Sequence, residues 1–245
     1  MTYKESIYYT PAGEDRLLHI YLPDRYDETD ERYPVMYFWD GHNLFHDADA
    51  TYGKSWGLKA FLDQWRKDMI IVGIECSHEG NRRLDEYCPY DGQLMGIQVH
   101  GEGRRTMEWI TGTLKPYVDN RLRTYSHREA TAIGGSSMGG LMSLYAVTMY
   151  NDVFSKAACV SPTISIVREQ LFAEIAAHPT DPDTRVYLSV GGNENWHGIP
   201  LRDLYAADDL LRQKSADTFL YFQEDGGHCE ADWEKQVPLF MEYLW

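Results

Sequence analysis

The chain has 245 residues, 43% of them hydrophobic, enough to bury a substantial core, and its alternating strand-like and helix-like segments fit one α/β domain over 1–245. A formal charge of −15, from 38 Asp and Glu against 23 Lys and Arg, repels phosphate backbones and anionic lipids and argues against nucleic acid or a membrane as partner. No apolar run approaches the ~20 residues of a membrane span, the N-terminus carries no signal-like apolar stretch, and four scattered cysteines (Cys76, Cys88, Cys159, Cys229) fit a reduced, cytoplasmic setting better than a disulfide scaffold.

In chain order, strands are expected near Ser6–Thr10 and Leu17–Leu22, joined as a hairpin through Pro11 to Glu14. Pro34–Trp39 is a buried strand, and the loop DGHNLFHD follows from Asp40 to Asp47. A helix is expected over Trp56–Lys67 and a strand over Ile70–Ile74. Residues 77–104, rich in Gly, Arg and Tyr and without periodicity, read as a long loop of the kind that often carries function. A helix over Arg105–Leu122 has to tolerate Pro116, and the last helix runs over Asp232–Trp245.

The chemistry concentrates at GGSSMGG, residues 134–140, between the apolar run Ala130–Ile133 and the helix-like segment Leu141–Val147. Strand, tight turn and helix around G-x-S-x-G is the pattern of a nucleophile elbow, with Ser137 as nucleophile and glycines two before and two after it. Later strands at Ala157–Val160, Val186–Val190 and Thr218–Phe222 supply the loops where an acid and a base are needed. Glu194 follows the second of these and His228 the third, in the chain order of a Ser-Glu-His triad, with 57 and 34 residues separating successive members. Asp203 at a helix start, Asp208 and Asp209 within a helix, and Asp225 three residues from His228 are the competing carboxylates, each placed less well than Glu194.

Acyl transfer also needs donors for a developing oxyanion. The backbone N–H groups of Met138 and of His42 stand at the positions that supply them. A rival reading of Asp40, His42, His46, Asp47 and Asp49 as metal ligands lacks a third histidine, and no metal is assigned. Trp56, Tyr87, Trp196 and Trp233 lie near the expected loops and are candidate substrate contacts; Arg82 and Arg83 either meet a carboxylate or pair on the surface with Asp85 and Glu86.

Four segments together, MYFWDGHNLF (36–45), RRLDEYCPY (82–90), IGGSSMGGL (133–141) and GGHCEADW (226–233), resemble the esterase D, or "putative esterase", group of α/β-hydrolases. That group takes in feruloyl and acetylxylan esterases, S-formylglutathione hydrolases, siderophore esterases and mycolyltransferases. The resemblance runs from about Tyr33 to the C-terminus. It implies a mostly parallel sheet of about eight strands flanked by helices, the triad Ser137, Glu194 and His228, the His42 and Met138 amides as oxyanion hole, and no cofactor. The short stretch between Val160 and Val186 leaves no room for a large cap, so an open cleft is expected, with small soluble esters, acylated sugars among them, and short acyl groups as substrates. Acyl transfer to another acceptor, and ligand binding without turnover, are the alternatives; a homo-oligomer is compatible with the sequence.

Overall fold

Apolar runs that lack polar alternation form strands covered on both faces, and here they fill the middle of one eight-stranded sheet. The computed structural model describes residues 1–194 and 196–245. Strands β1 (Thr2–Tyr9), β2 (Glu14–Tyr21), β3 (Val35–Trp39), β4 (Ile70–Ile74), β5 (Gly92–Leu94), β6 (Ile97–Val99), β7 (Thr131–Ser136), β8 (Lys156–Val160), β9 (Arg185–Gly191) and β10 (Asp217–Gln223) follow in sequence. The main sheet has the order β1-β2-β4-β3-β7-β8-β9-β10; β5 and β6 pair apart from it. β1 and β2 form the expected antiparallel hairpin, β2 meets β4 antiparallel, and every pairing from β4 to β10 is parallel. This is the α/β-hydrolase arrangement.

Helices α1 (Leu58–Leu62), α2 (Arg82–Glu86), α3 (Gly103–Trp109), α4 (Lys115–Arg121), α5 (Met138–Met149), α6 (Arg168–Ala177), α7 (Ile199–Gln213), α8 (Glu230–Trp233) and α9 (Val237–Leu244) cover both faces. The pleat divides the core accordingly. Val35, Tyr37 and Trp39 of β3 join one hydrophobic cluster with Ile133, Leu141 and Leu188, while Met36 and Phe38 point to the other, with Trp56, Tyr187 and Phe240. β3 has β4 on one side and β7 on the other, so the chain leaves the sheet in opposite directions here, and a crevice opens at the carboxyl ends of the strands.

Several expected elements change in detail. The helix expected from Trp56 shrinks to α1, because Gly57 before it is left-handed (φ 59°) and the chain leaves the helix after Leu62. Residues 77–104 are not an aperiodic loop: they hold α2 and the β5–β6 hairpin. The helix over 105–122 starts earlier, at Gly103, and is interrupted by a π-helical turn at Ile110–Leu114. Pro116 then falls in the first turn of α4, where its missing N–H costs least. The last helix is likewise broken, into α8, a 3₁₀ turn and α9 with Pro238 in its first turn. Among the described residues no helix is long and apolar enough to cross a membrane.

Candidate active site

β7 ends at Ser136 and α5 begins at Met138, so Ser137 alone makes the turn, at φ 58° and ψ −120°, outside the regions an L-residue ordinarily occupies. Trp39 of β3 lies against this turn. A Cβ on Gly135 would come 2.9 Å from Trp39 Cδ1, and one on Gly139 would come 2.8 Å from Trp39 Cβ. The two glycines are therefore required by packing against the neighbouring strand. Ser137 is pinned by its N–H to Val160 O (3.0 Å) and by its carbonyl accepting from Leu141 N and Thr163 N. Its Oγ hydrogen-bonds Thr163 Oγ1 at 3.3 Å.

Glu194 closes the 3₁₀ turn after β9, and His228 lies on the loop after β10. The parallel pairing of β9 with β10 puts these loops side by side, and Asn193 N–H donates to Gly226 O at 2.9 Å to hold them there. His228 Nδ1 hydrogen-bonds Glu194 Oε2. The other carboxylate oxygen, Oε1, accepts from Ser161 Oγ and from Gly191 N–H, both at 2.5 Å. Ser161 Oγ accepts in turn from Trp233 Nε1 at 3.1 Å, and the Trp233 ring stands edge-on to His228 at 5.0 Å. The imidazole is thus oriented from two sides. Among the described residues no other carboxylate pairs with His228: Asp203 pairs with Arg168 and Arg202, Asp208 with Arg212 and Thr218. Asp203 is buried by those arginines, where the sequence offered only its place at a helix start.

The loop after β3 presents a further free amide beside the turn at Ser137. Gly41, His42 and Asn43 form a single 3₁₀ turn, and among the described residues the N–H groups of His42 and Met138 donate to nothing. The left-handed residue at this turn is Asp40 (φ 56°), not Gly41; Gly41 is needed because a Cβ there would stand 2.5 Å from the Gly73 carbonyl carbon. Asp40 keeps that conformation through a bidentate pair with Arg83, 2.7 Å on each side, and through its N–H to Tyr87 Oη at 3.2 Å. Burial alone would raise the Asp40 carboxyl, but the guanidinium outweighs it and holds the pKa below the ordinary value. Asn43 completes the clamp, accepting Thr51 N–H at 3.0 Å and donating to Glu230 at 3.3 Å.

Arg83 therefore fixes the loop after β3 through Asp40 and does not pair with Asp85 or Glu86 on the surface. Arg83→Ala is expected to lower kcat by about 10- to 100-fold with little change in KM, below the ~10²–10³ of deleting an oxyanion donor outright because the amide is displaced, not removed. It should also cost about 3 kcal/mol of stability, since Asp40 is left charged and buried without its partner. Steady-state kinetics and urea unfolding of the same variant check both parts.

Ser137, Glu194 and His228 open on one cavity of about 460 Å³, walled mostly by apolar side chains such as Leu94, Ile164, Ile166 and Leu204. Its roof is the β5–β6 hairpin with Met95 at the tip, together with the segment from Trp196 to Leu204. The cleft is therefore partly covered, by a hairpin that lacked periodicity in the sequence, although no large cap stands between β8 and β9. Of the four aromatic candidates only Trp196 lines this cavity, 65% exposed at its rim. Trp56 packs in the core on Phe38, Phe240 and Trp233, and Tyr87 is buried edge-on against Trp39. Trp233 is buried under His228. These three touch the machinery or the core, not the cavity.

Residues 10–238 match the family described as "Putative esterase". The chain belongs to that family. The esterase is 27% identical over 187 residues to the protein YbbA of Bacillus subtilis (strain 168), covering 75% of this chain and 70% of that one. It is 26% identical over 187 residues to Esterase Rv1288 of Mycobacterium tuberculosis (strain ATCC 25618 / H37Rv), covering 76% of this chain but 36% of that longer protein. Among solved structures it superimposes on an IroE-like serine hydrolase from Shewanella oneidensis with a TM-score of 0.77 at 20% identity, covering 99% of this chain and 81% of that one. An enterochelin esterase from Shigella flexneri gives 0.76 at 17% identity, over all of this chain and 58% of the other, and a ferulic acid esterase gives 0.75 at 16% identity over 100% and 96%. At those identities the structures share the esterase's fold.

Proposed function

We propose that this esterase is a serine carboxylic-ester hydrolase working through Ser137, His228 and Glu194, with the amides of His42 and Met138 as its oxyanion hole. The observation that carries the reading is the convergence of Ser137, an imidazole bound to a buried carboxylate, and two unengaged amides at the carboxyl ends of β3, β7, β9 and β10. Ser137 Oγ leaves Thr163 and turns to His228 Nε2, which takes its proton as Oγ attacks the ester carbonyl. Glu194 holds the proton on Nδ1 and stabilises the imidazolium; the two amides meet the oxygen that becomes negative. His228 returns the proton to the departing alcohol, and water repeats the sequence on the acyl-enzyme. Incubation with an activated ester, followed by mass spectrometry, should show one acyl group on the peptide containing Ser137. An ester turned over with no acyl-enzyme on that peptide would sink the assignment.

The cavity also revises the expected acyl preference. Acetyl would leave most of its apolar wall in water, so a longer or ring-bearing acyl part is the better occupant. The ferulic acid esterase among the structural neighbours is named for an aromatic acid, which supports the same choice. Each methylene buried adds about 0.8 kcal/mol, close to fourfold in kcat/KM. A panel of 4-nitrophenyl esters should therefore rise from acetyl to hexanoyl and include a well-used phenylpropanoyl ester. A maximum at acetyl would refute this and restore the small-acyl reading. A cytoplasmic site of action belongs to the same proposal, supported by four free cysteines, three of them buried.

A further inference from the structure

We propose that His42, Cys76 and His78 form a binding site for a single thiophilic divalent ion of the zinc class, and that filling it slows the esterase. The three residues come from the ends of neighbouring parallel strands, His42 just after β3 and Cys76 and His78 just after β4, so the sheet itself brings them together. One ligand atom from each lies within 4.8 Å of the other two. A tetrahedral ion at 2.0–2.3 Å from its ligands sets them roughly 3.3–3.8 Å apart, so closure by about 1 Å is needed. His78 is exposed and free to supply it.

The hydrogen bonding points the same way. His42 binds Thr51 Oγ1 through Nε2 at 3.0 Å, and its Nδ1 is buried with no partner. His78 binds Glu75 Oε1 through Nε2 at 2.8 Å, leaving its Nδ1 without a hydrogen bond among the described residues. Glu75 is itself held by His19 Nε2 at 2.5 Å. One ring nitrogen engaged by a carboxylate or hydroxyl and the other left bare is the arrangement that orients metal-binding histidines. A buried bare nitrogen otherwise costs the protein its desolvation penalty for nothing. The two-nitrogen, one-sulfur set suits zinc or cobalt and not magnesium or calcium. On binding, Cys76 Sγ gives its proton to solvent and forms the metal–sulfur bond while the two imidazoles donate lone pairs, so no redox step is involved.

This is a different grouping from the one the loop suggested in sequence. His46 hydrogen-bonds Thr2, Asp47 accepts from Ser55 and Asp49 pairs with Lys4. Of that set only His42 and Asp40 turn inward, and Asp40 is taken by Arg83. The effect on turnover rests on the reading of the His42 amide as an oxyanion donor: drawing its ring onto an ion moves the backbone that must meet the substrate oxygen.

Cobalt(II) titration of the purified full chain tests the site without using activity. One equivalent should produce a sulfur-to-cobalt charge-transfer band and visible ligand-field bands; C76S should lack the first, and H78Q should bind about tenfold or more weakly. Zinc chloride should then slow ester turnover by the wild type and not by C76S, each compared with its own metal-free rate. H78Q, altered only at an exposed side chain, carries the test should C76S fail to fold. Absence of the charge-transfer band, or its persistence in C76S, overturns the site. Stoichiometric binding with turnover unchanged overturns the link to catalysis. Loss of all turnover in metal-free wild type would instead strike the triad reading, and the absorption titration still judges the site.

Discussion

Ser137→Ala is expected to lose about 10³-fold or more in kcat on an activated ester while remaining folded. Position 137 is strained by its φ of 58°, and alanine bears that strain as serine does, so the elbow keeps its shape. The variant gives up one hydrogen bond of 3.3 Å to Thr163, a loss of about 1 kcal/mol at most. Ser136→Ala is the informative control. Ser136 is the last residue of β7, buried in the sheet, and its hydroxyl does not line the cavity that Ser137, Glu194 and His228 share. That variant should keep near-normal kcat. The reverse pattern, an inactive Ser136→Ala and an active Ser137→Ala, would mean that the nucleophile has been misplaced by one residue.

The turn at Ser137 could be read from the chain because both of its glycines lie within five residues. What excludes a side chain at Gly135 and Gly139 is Trp39, distant in sequence, which needs only to be large. That Glu194 and His228 lie side by side was readable for a related reason: each follows a mainly apolar strand, and parallel strands deliver their following loops to the same edge. Arg83 was not readable. The carboxylate it serves, Asp40, lies 43 residues earlier in the chain, and an arginine beside Asp85 and Glu86 has nearer acids to suggest for it. Glu86 in fact binds Arg16 in the buried interior, which frees Arg83 for Asp40.

The aromatic residues were misread by the same limit. Trp56, Tyr87 and Trp233 do lie close to the loops that bear the site, but sequence proximity to a loop does not say which face a ring takes. Trp56 is drawn under the sheet's carboxyl edge by Phe38 and Phe240, Trp233 by Trp56, and Tyr87 by Trp39. The β5–β6 hairpin escaped notice because three-residue strands show no measurable alternation. It nonetheless bears on the proposed acyl preference, since Leu94 and Met95 line the cavity.

Glu194→Gln is expected to cut kcat by about 10²- to 10⁴-fold with the fold intact. The carboxylate works at both oxygens. Oε1 accepts from Ser161 Oγ and Gly191 N–H, and Oε2 accepts from His228 Nδ1–H. A glutamine can keep the first pair of bonds only by turning its carbonyl oxygen to Ser161 and Gly191, which aims its NH₂ group at Nδ1. An amide N–H facing Nδ1 forces the imidazole to accept there, so its proton moves to Nε2, the atom that must take the proton from Ser137. The other orientation preserves the imidazole tautomer but sets the NH₂ against the Gly191 N–H, a donor against a donor in a buried place. In both cases the imidazolium of the transition state loses its countercharge. KM should change little, because Glu194 holds His228 and not the substrate. A Glu194→Gln variant retaining more than about a tenth of wild-type kcat across neutral pH would show that another group orients His228, and would end the assignment of Glu194 as the acid of the triad.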